Sequence, residues 1–201
     1  IADADGHLQT GFLGVKHLCP VLADIGATGA AYDLLLNDTY PSWGFSIRHG
    51  ATTIWERWDG WTPERGFQSP NMNSFNHYAY GAVGEWLHAR VAGIDWDEQA
   101  PGFRAIRFPP LFERRIGWCR ASYRAPTGTV ESAWEIAGDR VGWSIVVPPN
   151  CTGRVGLPIR PGAITVDDRA LADSYELEDA GPGATGFIVP SGRHAFTIAL
   201  D

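Results

Sequence analysis

Over residues 1 to about 95 the apolar side chains recur with the period of a helix, and from about Phe103 onward they alternate with a period of two. In the first stretch Leu18, Val21, Leu22 and Ile25 share one helical face, Pro20 falls at a first turn or a kink, and Gly26 closes the segment. Thr28 is placed to cap a second helix, whose inner face carries Ala31, Leu34 and Leu35. A third and stronger helix is predicted from about Asn76 to Gly93, capped by Ser74 or Asn76. Its stripe is Val83, Leu87, Val91 and Ile94, with Ala79, Ala82 and Trp86 alongside. Gly81 and Gly84 inside it each cost about 1 kcal/mol of propensity, which points to another backbone packed close by. Glu85 reads as a buried hydrogen-bonding group.

In the second stretch Val130, Ser132, Trp134 and Ile136 alternate with Thr129, Glu131, Ala133 and Glu135, the pattern of a half-buried strand. Gly138-Asp139 is a two-residue turn with glycine first, as type II′ requires. The return strand places Val141, Trp143, Ile145 and Val147 on one face before Pro148-Pro149 stops it. Further strands are predicted at 104–108, 115–123, 152–157, 163–167, 185–190 and 193–200. Short strands at this spacing predict an antiparallel β-sandwich. The polar connector Asp95-Trp-Asp-Glu-Gln-Ala-Pro-Gly102 sets the boundary, giving a helical part over 1–95 and a β domain over 96–201.

Composition removes several classes of function. Sixteen basic residues against 23 acidic ones give a net charge of −7, and every basic residue but Lys16 is a scattered arginine. Neither a nucleic-acid groove nor a basic membrane-binding face is expected. Cys19, Cys119 and Cys151 lie far apart and read as small hydrophobes, and no histidine has a companion at ligand spacing, so no metal or cofactor is expected. The sole methionine is Met72 and the opening residues lack the regions of a signal peptide, so the chain reads as cut or processed from something longer. Nine tryptophans stand out, because the apolar face of a sugar ring packs well on an indole.

The densest chemical signal is Gly50-Ala-Thr-Thr-Ile-Trp-Glu-Arg-Trp-Asp-Gly-Trp61. It sets Glu56 between Trp55 and Trp58, an arrangement suited to general acid or base work on a glycosidic bond. A structural ion pair between Glu56 and Arg57 is the competing reading. Asn71-Met-Asn-Ser-Phe-Asn-His77 brings a histidine to the start of the third helix, where a neutral imidazole can meet sugar hydroxyls. A capping segment with a satisfied core histidine is the alternative there.

Thr10-Gly-Phe-Leu-Gly14, Tyr40-Pro-Ser-Trp-Gly44, Gly50–Asp59 and Asn73-Ser-Phe-Asn-His-Tyr-Ala-Tyr-Gly-Ala-Val-Gly-Glu-Trp-Leu87, in this order, closely resemble the C-terminal part of bacterial-type α-L-rhamnosidases of glycoside hydrolase family 78. The resemblance is strong over residues 8–95 and looser in the strand-rich tail. It implies the closing portion of an (α/α)6 barrel followed by a C-terminal β-sandwich, in an enzyme that inverts the anomeric configuration. It also implies Glu56 as general base and His77 as a rhamnose contact, with Trp55 and Trp58 beside them. The substrate class implied is a rhamnose-containing glycoside or polysaccharide, and the general acid belongs to barrel helices absent from these residues. Three expectations follow: inactivity of the 201 residues alone, apolar helical faces with no facing partner, and completion of the barrel by an upstream segment or another chain. A non-catalytic carbohydrate-binding or scaffolding fragment, or a related barrel glycosidase for another deoxy sugar, remains the alternative.

Overall fold

The computed structural model describes residues 5–166, 169–178, 180 and 183–200. The opening Ile1-Ala-Asp-Ala4 and Asp167, the last residue of the strand expected at 163–167, lie outside them. The chain divides into two compact units, Ile1–Trp86 and Leu87–Asp201.

In the first unit α1 (Phe12–Asp24) and α2 (Thr28–Leu36) pack on each other as a helical hairpin. Helix α1 starts six residues before the predicted stripe, so Pro20 stands in its interior rather than in a first turn. The missing N–H there leaves the carbonyl of exposed Lys16 without its helical partner. The buried face is Val15, Cys19, Leu22 and Ala23, whereas Val21 and Ile25 point to solvent. After Asp24 the N–H groups of Gly26 and Ala27 return to the carbonyls of Ala23 and Leu22, closing the C-terminus as a Schellman motif. Thr28 is the first residue of α2 and not its cap, since Ala27 occupies that position. Ala31, Tyr32 and Leu34 are buried, and Tyr32 meets the edge of Trp86 with ring centroids 5.2 Å apart.

A third helix, α3 (Trp43–Arg48), has no counterpart in the sequence expectation. Ser42 caps it by accepting the N–H of Phe45 at 2.9 Å. Its second residue must be glycine, because a Cβ at Gly44 would lie 2.8 Å from the Cα of Asp38. The long loop that follows carries one small hairpin, β1 (Trp61–Thr62) with β2 (Gly66–Phe67).

The helix expected from Asn76 to Gly93 is instead assembled from three pieces. A 3-10 turn covers Ala79–Ala82, one α-turn (α4) covers Val83–Trp86, and a π-turn covers Leu87–Val91 at the start of the second unit. Glu85 is exposed, contrary to its expected burial, and a Cβ at Gly84 would meet open space. Across the first unit the apolar side chains of Leu13, Ile25, Ile47 and Tyr78 are also largely exposed.

The second unit is a sandwich of two sheets. The six-stranded sheet runs β10 (Arg169–Ala170), β9 (Ile164–Val166), β13 (Gly192–Ala199), β7 (Arg140–Val147), β6 (Gly128–Ala137) and β5 (Trp118–Ala125), all antiparallel. The five-stranded sheet runs β11 (Leu177–Glu178), β12 (Thr185–Val189), β8 (Thr152–Leu157), β4 (Ala105–Phe108) and β3 (Asp95–Trp96). One pair departs from the antiparallel expectation: β4 lies parallel to β8, with Arg107 opposite Arg154. The β6–β7 turn has positive φ at Gly138 alone, as type II′ demands. Phe187 of one sheet packs on Phe196 of the other at 5.6 Å, and both are buried. Fully buried Ser132 is a polar hub within this unit. It donates to the carbonyl of Ala92 at 2.6 Å and accepts the indole N–H of Trp143 at 3.1 Å, while Trp134 donates to the carbonyl of Val91 at 2.8 Å.

Candidate active site

All four residues singled out from the sequence lie in the first unit, on the Gly50–Trp61 loop and the segment that pairs with it. The two stretches run side by side. The N–H of Glu56 donates to the carbonyl of Ser74 at 2.8 Å, that of His77 donates to Ile54 at 2.9 Å, and the Thr53 hydroxyl donates to the carbonyl of Phe75. Asn73 adds a side-chain donation to Gly60 at 3.0 Å. These bonds tie irregular backbone to irregular backbone, which is how a loop without helix or sheet holds a side chain in place.

Glu56 is the focus of the arrangement. The residue is 9% exposed, and Oε2 accepts the backbone N–H of Ser74 at 2.7 Å. The same side chain lines an open hollow of about 380 Å³ whose wall also includes Phe12, Tyr40, Arg57, Trp58, Asp59 and Tyr80. The ion pair with Arg57 does not form. The guanidinium of Arg57 instead grips Asp59 through two parallel bonds, Nε to Oδ1 at 2.9 Å and Nη2 to Oδ2 at 3.0 Å. The hydrogen bond to Asp59 holds Arg57 above even the usual guanidinium range. Burial, and after it the charge of Asp59, raises both Tyr40 and Tyr80 above the ordinary phenol value, so both hydroxyls are protonated donors at neutral pH.

The two tryptophans play different parts. Trp58 forms a wall of the hollow, stacked on Tyr80 with centroids 3.8 Å apart and planes 20° apart, and set edgewise to Trp43 at 5.6 Å. Its indole N–H reaches the carbonyl of Thr10 at 3.3 Å. Trp55 is buried and meets Phe75 edge-on at 5.2 Å, so it supports the loop from behind and is not part of the wall.

His77 stands between two rings, Phe12 at 5.0 Å and Tyr78 at 5.2 Å, both nearly parallel to it. Its Nδ1 accepts the N–H of Ala79 at 3.3 Å. An acceptor at Nδ1 places the proton of the neutral ring on Nε2, leaving that N–H as a donor.

Tyr40, Asp59 and Tyr80 were not singled out by their sequence positions. Only the fold shows that Tyr40, beyond α2, and Tyr80, in the 3-10 turn, close on the same hollow. Among the described residues no group of three or more His, Cys, Asp or Glu side chains is arranged to hold a metal ion. No helix among them is long and apolar enough to cross a membrane.

Comparison with known proteins places this geometry. Residues 1–91 match the bacterial alpha-L-rhamnosidase 6 hairpin glycosidase domain, and residues 93–171 match the bacterial alpha-L-rhamnosidase C-terminal domain. An alpha-L-rhamnosidase of Streptomyces avermitilis is 43% identical over 197 residues, covering 96% of this chain and 18% of the relative. One from Formosa agariphila is 45% identical over 182 residues, covering 89% of this chain and 19% of the relative. The crystal structure of the Streptomyces avermitilis alpha-L-rhamnosidase complexed with L-rhamnose superposes with a TM-score of 0.88 at 41% identity, over 98% of this chain and 19% of that one. The chain therefore spans about a fifth of the length of the relatives it matches. In sequence and in architecture, a closing piece of the six-hairpin barrel followed by a β-sandwich, the chain belongs to the bacterial α-L-rhamnosidase family.

Proposed function

We propose that this chain carries the general-base half of an inverting α-L-rhamnosidase that removes terminal rhamnose from glycosides or polysaccharides. In this reading residues 1–95 form the end of the catalytic barrel and 96–201 its C-terminal sandwich. The observation that carries it is the state of Glu56: a nearly buried carboxylate, fixed by one backbone N–H, open to a hollow and unclaimed by the cation next to it in sequence.

The chemistry follows from that geometry. An inverting hydrolase needs a carboxylate on the face of the sugar opposite the leaving group, about 6.5–9.5 Å from an acid that protonates the glycosidic oxygen. Glu56 takes one proton from a water molecule as the water oxygen bonds to the anomeric carbon. The bond to the aglycone breaks, and the aglycone oxygen leaves with the proton of the general acid. That acid comes from the remainder of the barrel, supplied by an upstream segment or another chain, so these residues alone do not turn over substrate. Trp58 offers an indole face to the apolar side of the sugar. His77 donates its Nε2–H to a sugar hydroxyl, and buried Trp55 keeps the loop in register behind Glu56.

The test is Glu56→Gln in the protein that includes the rest of the barrel, assayed on an aryl α-L-rhamnoside. The exchange keeps shape and removes basicity, so kcat should fall by about 10²–10⁴-fold. Hydrolysis at the unmodified rate would overturn the assignment of the base. Rhamnose binding to the isolated chain, measured by calorimetry, together with an inactive complete barrel would favour a carbohydrate-binding role instead.

A further inference from the structure

Glu56 and Arg57 are neighbours in sequence and line the same hollow, yet the cation turns away to Asp59. A guanidinium within about 4–6 Å of a carboxylate lowers the carboxylate's pKa by about 1–3 units, and a weaker base is a poorer proton acceptor in the transition state. A flexible arginine one residue from a general base is therefore a standing threat to that base. Asp59 answers it with a bidentate fork, the most specific geometry by which a carboxylate can hold a guanidinium. Arg57 is about two-fifths exposed, and among the described residues its side-chain hydrogen bonds go to Asp59, while Glu56 attracts it through charge alone.

We infer that Asp59 is a positioning residue for the reaction: by clamping Arg57 it keeps the guanidinium off Glu56 and preserves the basicity of that carboxylate. The inference rests on the reading of Glu56 as general base. The hollow fits this role, because the Arg57–Asp59 pair contributes no net charge to it. The other titratable or charged groups on the segments packed around the loop are Tyr40, Tyr78, Tyr80, His77, Arg48, His49, Glu64 and Arg65. Tyr40 and Tyr80 are held neutral, His77 has its Nδ1 satisfied by Ala79, and His49 donates from Nδ1 to the carbonyl of Phe45. Arg65 is exposed in the β1–β2 turn. Among the described residues none of these groups is bonded to the Glu56 carboxylate, which accepts from the Ser74 N–H.

The pair predicts shifts of opposite sign, which a merely structural role would not produce. In Asp59→Asn the released Arg57 swings onto Glu56. The acidic limb of the kcat/KM profile then moves down by about one pH unit or more, and the plateau falls about tenfold or further. In Arg57→Gln the unpaired Asp59 charge faces Glu56 and the same limb moves up. In the double variant both charges are gone, so the limb returns to its original place and most of the loss is recovered. Asp59→Glu keeps the guanidinium occupied and should stay close to the unmodified profile, which guards against a mere folding failure of the asparagine variant.

All five proteins are measured in the complete barrel on an aryl α-L-rhamnoside across the pH range. If Asp59→Asn and the double variant are equally impaired, or if Asp59→Asn leaves the limb where it was, the inference is overturned. Glu56→Gln on the same background separates the two readings. Full activity there removes the base assignment itself, whereas an inactive Glu56→Gln beside an unrestored double variant removes only the role given to Asp59.

Discussion

The carboxylate of Glu56 and the backbone N–H of Ser74 stand 2.7 Å apart, and the N–H of Glu56 returns to the carbonyl of the same serine at 2.8 Å. This reciprocal pair fixes both the backbone and the side chain of one residue against another loop. Oε2 is thereby engaged in orienting the carboxylate.

His77→Phe tests the imidazole, which stacks on Phe12 of the hollow's wall without itself lining the hollow. Phenylalanine preserves the stacking with Phe12 and Tyr78 and removes both the Nε2–H donor and the Nδ1 acceptor of the Ala79 N–H. A lost hydrogen bond of ordinary strength, about 1 kcal/mol, lowers kcat/KM roughly five- to tenfold on an aryl α-L-rhamnoside. The loss of the Nδ1 acceptor of the buried Ala79 N–H, about 1 kcal/mol, should also lower the thermal midpoint by roughly 2–4 °C.

Gly44→Ala probes the support beneath the site. The added methyl would sit 2.8 Å from the Cα of Asp38, against backbone that has no flexible end to move. The expected cost is about 1–3 kcal/mol, read as a lower denaturant midpoint with an unchanged slope.

Ser132→Ala should destabilise the sandwich unit. The variant leaves the carbonyl of Ala92 and the indole N–H of Trp143 without their shared partner in a fully buried setting. About 1–3 kcal/mol is expected in chemical denaturation.

Glu113 provides a pH signature. The guanidinium of Arg115, through its side-chain hydrogen bonds, holds the Glu113 carboxyl below the usual carboxylate range. A carboxyl with a depressed folded-state pKa stabilises the fold above its unfolded pKa and loses that contribution as pH falls through the folded one. Because Arg115 is nearly half exposed, solvent limits the gain to about 0.5–1 kcal/mol. Glu113→Gln should therefore be slightly less stable than the unmodified protein at neutral pH. The difference should vanish once the pH lies below the folded-state value.

Much of this architecture is legible in the sequence, and the exceptions have physical causes. Strict alternation located β6 and β7 and their turn, because a pleated strand with one buried face leaves a period of two that few other structures imitate. The helical stripe misled at α1, where Val21 and Ile25 fit the period yet face solvent. Periodicity identifies a face but not whether a neighbour covers it. The segment after Asn76 held the right apolar residues, but a 3-10 turn and a π-turn bracket a single α-turn there, and a shift in helical pitch leaves no mark on composition. Helix α3 was missed because its six residues are too few for a periodic signal; Ser42 three positions before Phe45 was the one local clue. At the site, Glu56, Trp58 and His77 were visible as an unusual run of side chains. Tyr40, Tyr80 and the Arg57–Asp59 fork were not, since three distant segments meet only through the fold.

The parallel alignment of β4 with β8 bears on how the C-terminal unit comes together. Parallel neighbours cannot be joined by a tight turn, and here the whole meander β5–β6–β7 of the opposite sheet intervenes between Phe108 and Thr152. The smaller sheet thus waits for the larger one, and the loop-closure entropy of more than forty residues must be met before Ile106 finds Gly153. Such a domain assembles on the slow, long-range side of the folding spectrum, in milliseconds to seconds. Strand β13 completes the larger sheet between β7 and β9, so truncating the chain before residue 192 would expose the edges of both.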